Sequence, residues 1–331
     1  MGKKKFKMKK PQRKKKIPAA LPSSPAPPWT ELPTDVAANI LQRLSCVELL
    51  ESVQKVCTTW RSLCRDPAMW RVIKFSDVDV DVDSCDELEI ICRHAVDRSQ
   101  GQLLDINLEY FGTDELLHYI SERSNQLRCL SLACCDDISG IGLREAAKKL
   151  PQLEELHLFC TRFISAEGIE AIGLSCPMLK SFTFTYHRYI FPLLKGNEFP
   201  MAIAKSMPAL RHLCLIGNKM TNEGVEAILD GCPQLESLDL RKCFSVDLKG
   251  DLGSRCFQRL KGLKGPGDST SDYKWEAEIY DCEYDEDYSP SEFGDYSVGD
   301  YDDFTDPFND LYLNDEYNDY EHEYGFFFWD D

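Results

Sequence analysis

Six times between Leu103 and Leu240 the chain repeats the pattern L-x-x-L-x-L, and a period of that kind leaves few architectures open. The units are Leu103-Ile106-Leu108, Leu127-Leu130-Leu132, Leu153-Leu156-Leu158, Leu179-Phe182-Phe184, Leu210-Leu213-Leu215 and Leu235-Leu238-Leu240, separated by 24, 26, 26, 31 and 25 residues. A unit this short cannot bury its own apolar face, so each must stack on the next and share a core. Within every L-x-L the two apolar residues point to one side of a strand and the residue between them to the other. Fifteen residues before three of the units lies a second block: Ile138-Ser139-x-x-Gly142-Leu143, Ile164-Ser165-x-x-Gly168-Ile169 and Met220-Thr221-x-x-Gly224-Val225. Each reads as a helix start with Ser139, Ser165 or Thr221 as cap, and Cys176-Pro177 and Cys232-Pro233 read as stops. The pattern therefore predicts an α/β solenoid with parallel strands on a concave face and helices outside. The long fourth step places a loop within Tyr186 to Glu198.

Ahead of the repeats, Leu32 to Trp70 holds three short amphipathic stretches in about forty residues, too few to bury a stable core alone. Leu32-Pro33 opens the first, with proline in the first turn, and Val36, Ile40, Leu41 and Leu44 form its stripe. Ser45 and Glu48 read as a capping box for a second helix through Leu49, Leu50 and Val53. In the third, Val56, Cys57, Trp60, Leu63 and Cys64 have helical spacing, and Asp66-Pro67 ends it. So many apolar anchors on so little chain point to a partner surface.

The order Leu-Pro, Ile-Leu, Leu, Val-Cys-x-x-Trp-Arg and Asp-Pro-x-x-Trp resembles the F-box, the module that docks substrate receptors onto the Skp-type adaptor of cullin-RING ubiquitin ligases. That resemblance implies adaptor contacts from Leu32, Pro33, Ile40, Leu41, Leu44, Val56, Cys57 and Trp60, with some of these holding the helices together instead. The repeats resemble the cysteine-containing leucine-rich repeat, and the combination is similar to plant-type F-box/LRR proteins. The expected fold class is α/β: an N-terminal three-helix F-box (29–76), a leucine-rich-repeat solenoid of about six units (77–265), a disordered basic tail with a Pro-rich linker (1–28) and an acidic, aromatic-rich tail (266–331) that is mostly disordered.

Charge is divided unevenly around a net of −18. Residues 1–16 are nearly all basic, and 266–331 carry Lys274 as their single lysine or arginine. The basic run reads as a nuclear-import signal, an arm for nucleic acid or anionic lipid, or a solubilising tail, with nucleus and cytoplasm as the expected location. Phe6 stands where a myristoylation start needs Ser or Thr. The repeat region is mildly acidic, so nucleic acid is not expected as the main ligand. No apolar run reaches the ~18 residues that would cross a bilayer, so no membrane partner is expected. The 15 cysteines are dispersed at apolar positions without a C-x-x-C pair, which fits buried thiols and neither disulfides nor a zinc site.

The register names the residues that a bound protein would meet: Glu109, Ser131, Glu155, His157, Phe159, Thr183, His212, Asp239 and Arg241. Their mixture of polar and aromatic types suits protein recognition. A Cys-His pair such as His157 or His212 with Cys214 would be the only nucleophile and base on this face. However, strands two repeats apart lie about 9–10 Å from each other. No G-x-S-x-G, Walker, H-E-x-x-H or dinucleotide fingerprint occurs. No catalytic residue, metal or cofactor is expected. The resemblance implies a non-catalytic substrate-recognition subunit of an SCF-type E3 ubiquitin ligase, binding a protein substrate whose identity the residues do not reveal. Two alternatives stay open: an F-box/LRR scaffold without a ligase role, and a receptor whose substrate is cemented by a small molecule.

Overall fold

Leu41 is fully buried while Ile40 beside it is not, and that split organises the N-terminal module of the computed structural model. The structure describes residues 32–75, 85–161, 164–186 and 196–274; the basic tail, the acidic tail beyond residue 274 and most of the loop expected within Tyr186 to Glu198 lie outside these. Helix α1 (Thr34–Leu41) starts from Pro33, which is the N-cap residue and not yet in the first turn. Helix α2 (Cys46–Glu51) has the capping box expected of Ser45: the Glu48 amide donates to Ser45 Oγ at 3.2 Å and the Ser45 amide to Glu48 Oε2 at 3.0 Å. It ends two residues earlier than its apolar pattern suggests and continues as a 3₁₀ turn, Val53–Lys55. Helix α3 (Thr58–Cys64) takes Cys57 as its N-cap, with the Trp60 amide 3.4 Å from the Cys57 sulfur. Asp66 caps the closing 3₁₀ turn Pro67–Trp70 through the Ala68 amide at 2.9 Å.

Trp70 joins this module to the rest. Its indole N–H donates to the Cys64 carbonyl at 2.9 Å, and its ring is buried. Strand β1 (Val72–Phe75) follows at once, and helix α4 (Cys85–Arg98) returns to close the joint. Arg98 donates to the Cys64 carbonyl at 2.9 Å and to Gln54 Oε1 at 3.1 Å, with its guanidinium carbon 5.9 Å from the Trp70 ring centre. Burial lowers the Arg98 pKa, as desolvation of a cation must. One apolar core then runs from Ala37 to Leu260, so the module and the solenoid are a single packed body.

Among the described residues the solenoid has eight parallel strands in chain order, two more than the leucine pattern reveals. After β1 come β2 (Asp105–Glu109), β3 (Cys129–Ala133), β4 (Glu155–Thr161), β5 (Ser181–Tyr186), β6 (His212–Cys214), β7 (Ser237–Asp239) and β8 (Gly262–Lys264). The register aligns Ile73, Ile106, Leu130, Leu156, Phe182, Leu213, Leu238 and Leu263 across the sheet, and it shifts between Phe159 and Thr161 where β4 pairs with β5. Seven of these eight are buried under the helices α5 (Asp114–Arg123), α6 (Gly140–Ala147), α7 (Ala166–Ser175), α8 (Glu198–Ser206), α9 (Asn222–Gly231) and α10 (Asp251–Arg259). Leu263, in the last strand, is partly exposed.

Local chemistry repeats with the same period. Thr113, Ser139 and Ser165 each accept an amide hydrogen bond at a helix start. Thr221 makes no such cap, and its hydroxyl is held by Asn197 at 2.9 Å, because the preceding repeat brings an amide side chain to that spot. In five of the six units the residue seven after the first leucine turns into the left-handed region: Tyr110, Cys134, Cys160, Gly217 and Lys242, with φ between 53° and 73°. Four of these amides donate to a carbonyl in the following repeat or turn, for example Cys134 to Phe159 at 2.9 Å and Lys242 to Pro266 at 3.0 Å. Every described cysteine is a free thiol. Several donate to the previous repeat, such as Cys135 to the Phe111 carbonyl at 3.1 Å and Cys243 to the Leu215 carbonyl at 2.9 Å.

Candidate functional site

Helical periodicity leaves apolar residues on the N-terminal module that its own core does not use. Val36, Ile40, Leu44 and Val56 are 41%, 36%, 37% and 57% exposed. Pro33 is exposed, and Leu32, Cys57 and Trp60 are half-buried. Leu41, expected on the same face, instead points into the core at 0% exposure, because a helix of 3.6 residues per turn carries adjacent residues to different faces. The module thus presents a small apolar surface fixed to the solenoid by Trp70 and Arg98.

The open face of the sheet, turned away from the helices, has three rows. In the first row are Asp105, Cys129, Glu155, Ser181, His212 and Ser237, all at least partly exposed. In the second are Asn107, Ser131, His157, Thr183, Cys214 and Asp239. His157 Nδ1 lies 2.9 Å from the Thr183 hydroxyl and its Nε2 3.4 Å from Glu155 Oε2. Cys129, Glu155 and His157 bring a thiol, a carboxylate and an imidazole within 4.8 Å of one another. These are donors a divalent metal would accept, a grouping that spacing within one repeat could not reveal because it crosses two strands. The Cys129 thiol is pushed up to about 12 by burial and by the carboxylates of Asp105 and Glu155. The Cys214 thiol is likewise raised to about 12 by burial and Asp239, so it stays protonated at neutral pH and is a poor nucleophile. His212 Nδ1 is engaged with Ser237 Oγ at 2.9 Å.

The third row differs from its expected exposure. Glu109 and Arg241 are only 4% and 3% exposed, and Ala133, Thr185 and Ile216 are buried as well. Residues Ser269 to Lys274 account for much of this, crossing the ends of the strands back towards the first repeats. Arg241, just beyond β7, donates to the Ser269 carbonyl at 2.8 Å, pairs with Asp272, and binds Asp239 at 2.7 Å. Tyr273 donates its hydroxyl to Thr185 Oγ1 at 3.2 Å, and its ring centre lies 6.1 Å from that of Phe159. It packs there with Ala133, Cys134 and Cys160. Lys274 then reaches both oxygens of Glu109 at 2.9 Å. Burial raises the Tyr273 phenol above its usual range, and Lys264 and Arg241 hold the Asp272 carboxyl down to about 2. Glu109, Asp239 and Arg241, expected to face a partner, are thus engaged by the chain itself.

A helical module with uncovered apolar residues, packed onto a parallel repeat sheet with a polar open face, defines an F-box module joined to a leucine-rich-repeat array. The F-box-like family matches residues 29–76, and the Leucine Rich repeat family matches 149–173 and 207–229. F-box protein SKIP19 of Arabidopsis thaliana is 43% identical over 305 residues, which is 92% of this chain and 96% of that protein. Putative F-box/LRR-repeat protein 23 of the same plant is 46% identical over 242 residues, covering 73% and 54% of the two chains. Putative F-box/LRR-repeat protein 21, also from that plant, is 41% identical over 266 residues, covering 75% and 84%. The chain belongs to the plant F-box/LRR-repeat proteins.

Proposed function

We propose that this protein is a substrate-recognition subunit of an SCF-type E3 ubiquitin ligase. Its F-box module docks onto a Skp-type adaptor, and the open face of its repeats holds a protein substrate. The observation that carries this is the uncovered group Val36, Ile40, Leu44 and Val56 on a module otherwise packed into the common core. Apolar side chains left in water on a fixed frame gain from burial against a partner, at about 25 cal/mol per Å². The subunit contributes no reacting group. It raises the effective concentration of a substrate lysine near the ubiquitin thioester held elsewhere in the assembly.

The test is adaptor binding by single variants of the full chain. Ile40→Asp and Val56→Asp place a charge in the docking patch and are expected to abolish adaptor pull-down while the circular dichroism melt is unchanged. Pull-down at wild-type strength by both variants would remove the basis of the proposal.

A further inference from the structure

Four of the side chains that hold Ser269 to Lys274 occupy one equivalent position in four repeats. Glu109, Phe159, Thr185 and Arg241 each lie six residues after the first leucine of their unit. The chain therefore follows a track laid down by the repeat itself, and each contact further along it moves back towards the F-box. Two places on the track are built for particular chemistry. Ala133, Phe159, Cys160 and Thr185 form an apolar slot with one polar atom at its wall, and the Tyr273 ring fills it. Beyond it stands the buried carboxylate of Glu109, oriented by the Asn107 amide at 2.9 Å and met by the Lys274 ammonium. The Oδ1 atom of Asn107, buried beside it, has no hydrogen-bond partner.

We propose that this track is a peptide-recognition site for an aromatic residue followed directly by a lysine or arginine, and that Tyr273-Lys274 is its intramolecular occupant. This deepens the receptor reading above and rests on it, since it says which part of the open face reads the substrate. The occupant is poised to exchange. Ser269, Ser271, Asp272 and Lys274 are exposed, so the segment is held by the buried Thr270, the Tyr273 ring, the Arg241 bond to the Ser269 carbonyl and ion pairs whose segment-side partners face solvent. A tethered ligand competes as if present at about millimolar concentration, so it sets a threshold that only a matching partner segment passes.

The experiment uses the full chain with Tyr273→Ala and Lys274→Ala together, which vacates the slot and the carboxylate without touching the sheet. The probe is a fluorescent amidated peptide with the sequence of residues 269–274, followed by anisotropy. Saturable binding to the double variant is expected, with binding to the wild-type chain about tenfold weaker because its own segment competes. Adding Glu109→Gln, or changing the tyrosine of the peptide to alanine, should each lower affinity at least about fivefold. A random peptide display library selected on the double variant should enrich Tyr, Phe or Trp followed by Lys or Arg. Absence of saturable binding up to about 1 mM peptide overturns the proposal, as does binding indifferent to both Glu109→Gln and the peptide's tyrosine. Adaptor pull-down by the same double variant separates the two claims. If pull-down persists and peptide binding fails, the track is wrong and the receptor reading stands; if pull-down fails while peptide binds, the reverse holds.

Discussion

The F-box module and the solenoid spend their apolar residues in opposite ways. In the solenoid, the inward side chains of β2 to β7 are all buried, and what remains on the open face is chiefly polar. In the module, α1 alone leaves Val36 and Ile40 in water while giving Ala37 and Leu41 to the core. The solenoid helices also expose apolar side chains, at Ile141, Leu174 and Phe257, so the contrast lies between the module and the strands of the sheet. The contrast teaches that the two regions should fail differently when altered.

The largest effect is expected in the solenoid. Leu156→Ala empties a site with no exposed surface, between β3 and β5, and should cost about 2–5 kcal/mol in urea unfolding. Ile40→Asp, in contrast, should leave the unfolding free energy within about 0.5 kcal/mol of wild type while removing adaptor binding. Equal stability losses from the two changes would erase the distinction. The joint is next: Arg98→Ala leaves the Cys64 carbonyl with one donor and is expected to cost about 1–3 kcal/mol. It should also expose the Trp70 ring, measurable as a red-shifted indole emission.

Alkali sharpens the comparison in a third way. The thiols of Cys135 and Cys243 in the solenoid are pushed up to about 12, chiefly by burial, which favours the neutral thiol in the folded protein. An unfolded cysteine ionises at about pH 8.5, so the stability these groups lend is complete below that pH and drains away as pH rises towards the folded value. Unfolding free energies from urea titrations should fall between about pH 8 and about pH 10 by about 1–2 kcal/mol per thiol, and replacing both with serine should remove their share of the fall, leaving the share of other buried thiols such as Cys129 and Cys214. The smallest effect is a gain: Lys242→Gly relieves a left-handed lysine at φ 62° and should raise stability by up to about 1 kcal/mol.

Much of this architecture can be read from residue order, and the exceptions have specific causes. The six leucine units predict β2 to β7 because their side chains match the pattern directly. The end strands escape it because their anchors are of other types. Trp70-x-x-Ile73-x-Phe75 carries aromatic residues where leucine is expected, and Leu260-x-x-Leu263-x-Gly265 ends on a glycine with no side chain to count. Alternation assigns the third row to the open face, as it should, but alternation carries no information about a segment more than a hundred residues away. The pairing of Lys274 with Glu109 spans 165 positions and depends on the full fold. Thr221 shows the same limit on a smaller scale, since Asn197 from the neighbouring repeat takes the hydroxyl that local sequence would assign to a cap.

Trp70 closes the docking module and also supplies the first inward anchor of the sheet, so β1 grows directly out of the F-box. An array rooted in this way can be lengthened or shortened only at its far end, one strand spacing of about 4.8 Å at a time. Gain or loss of repeats during the history of such a gene would therefore move the distal boundary of the sheet while the distance from the F-box module to the first strands stays constant.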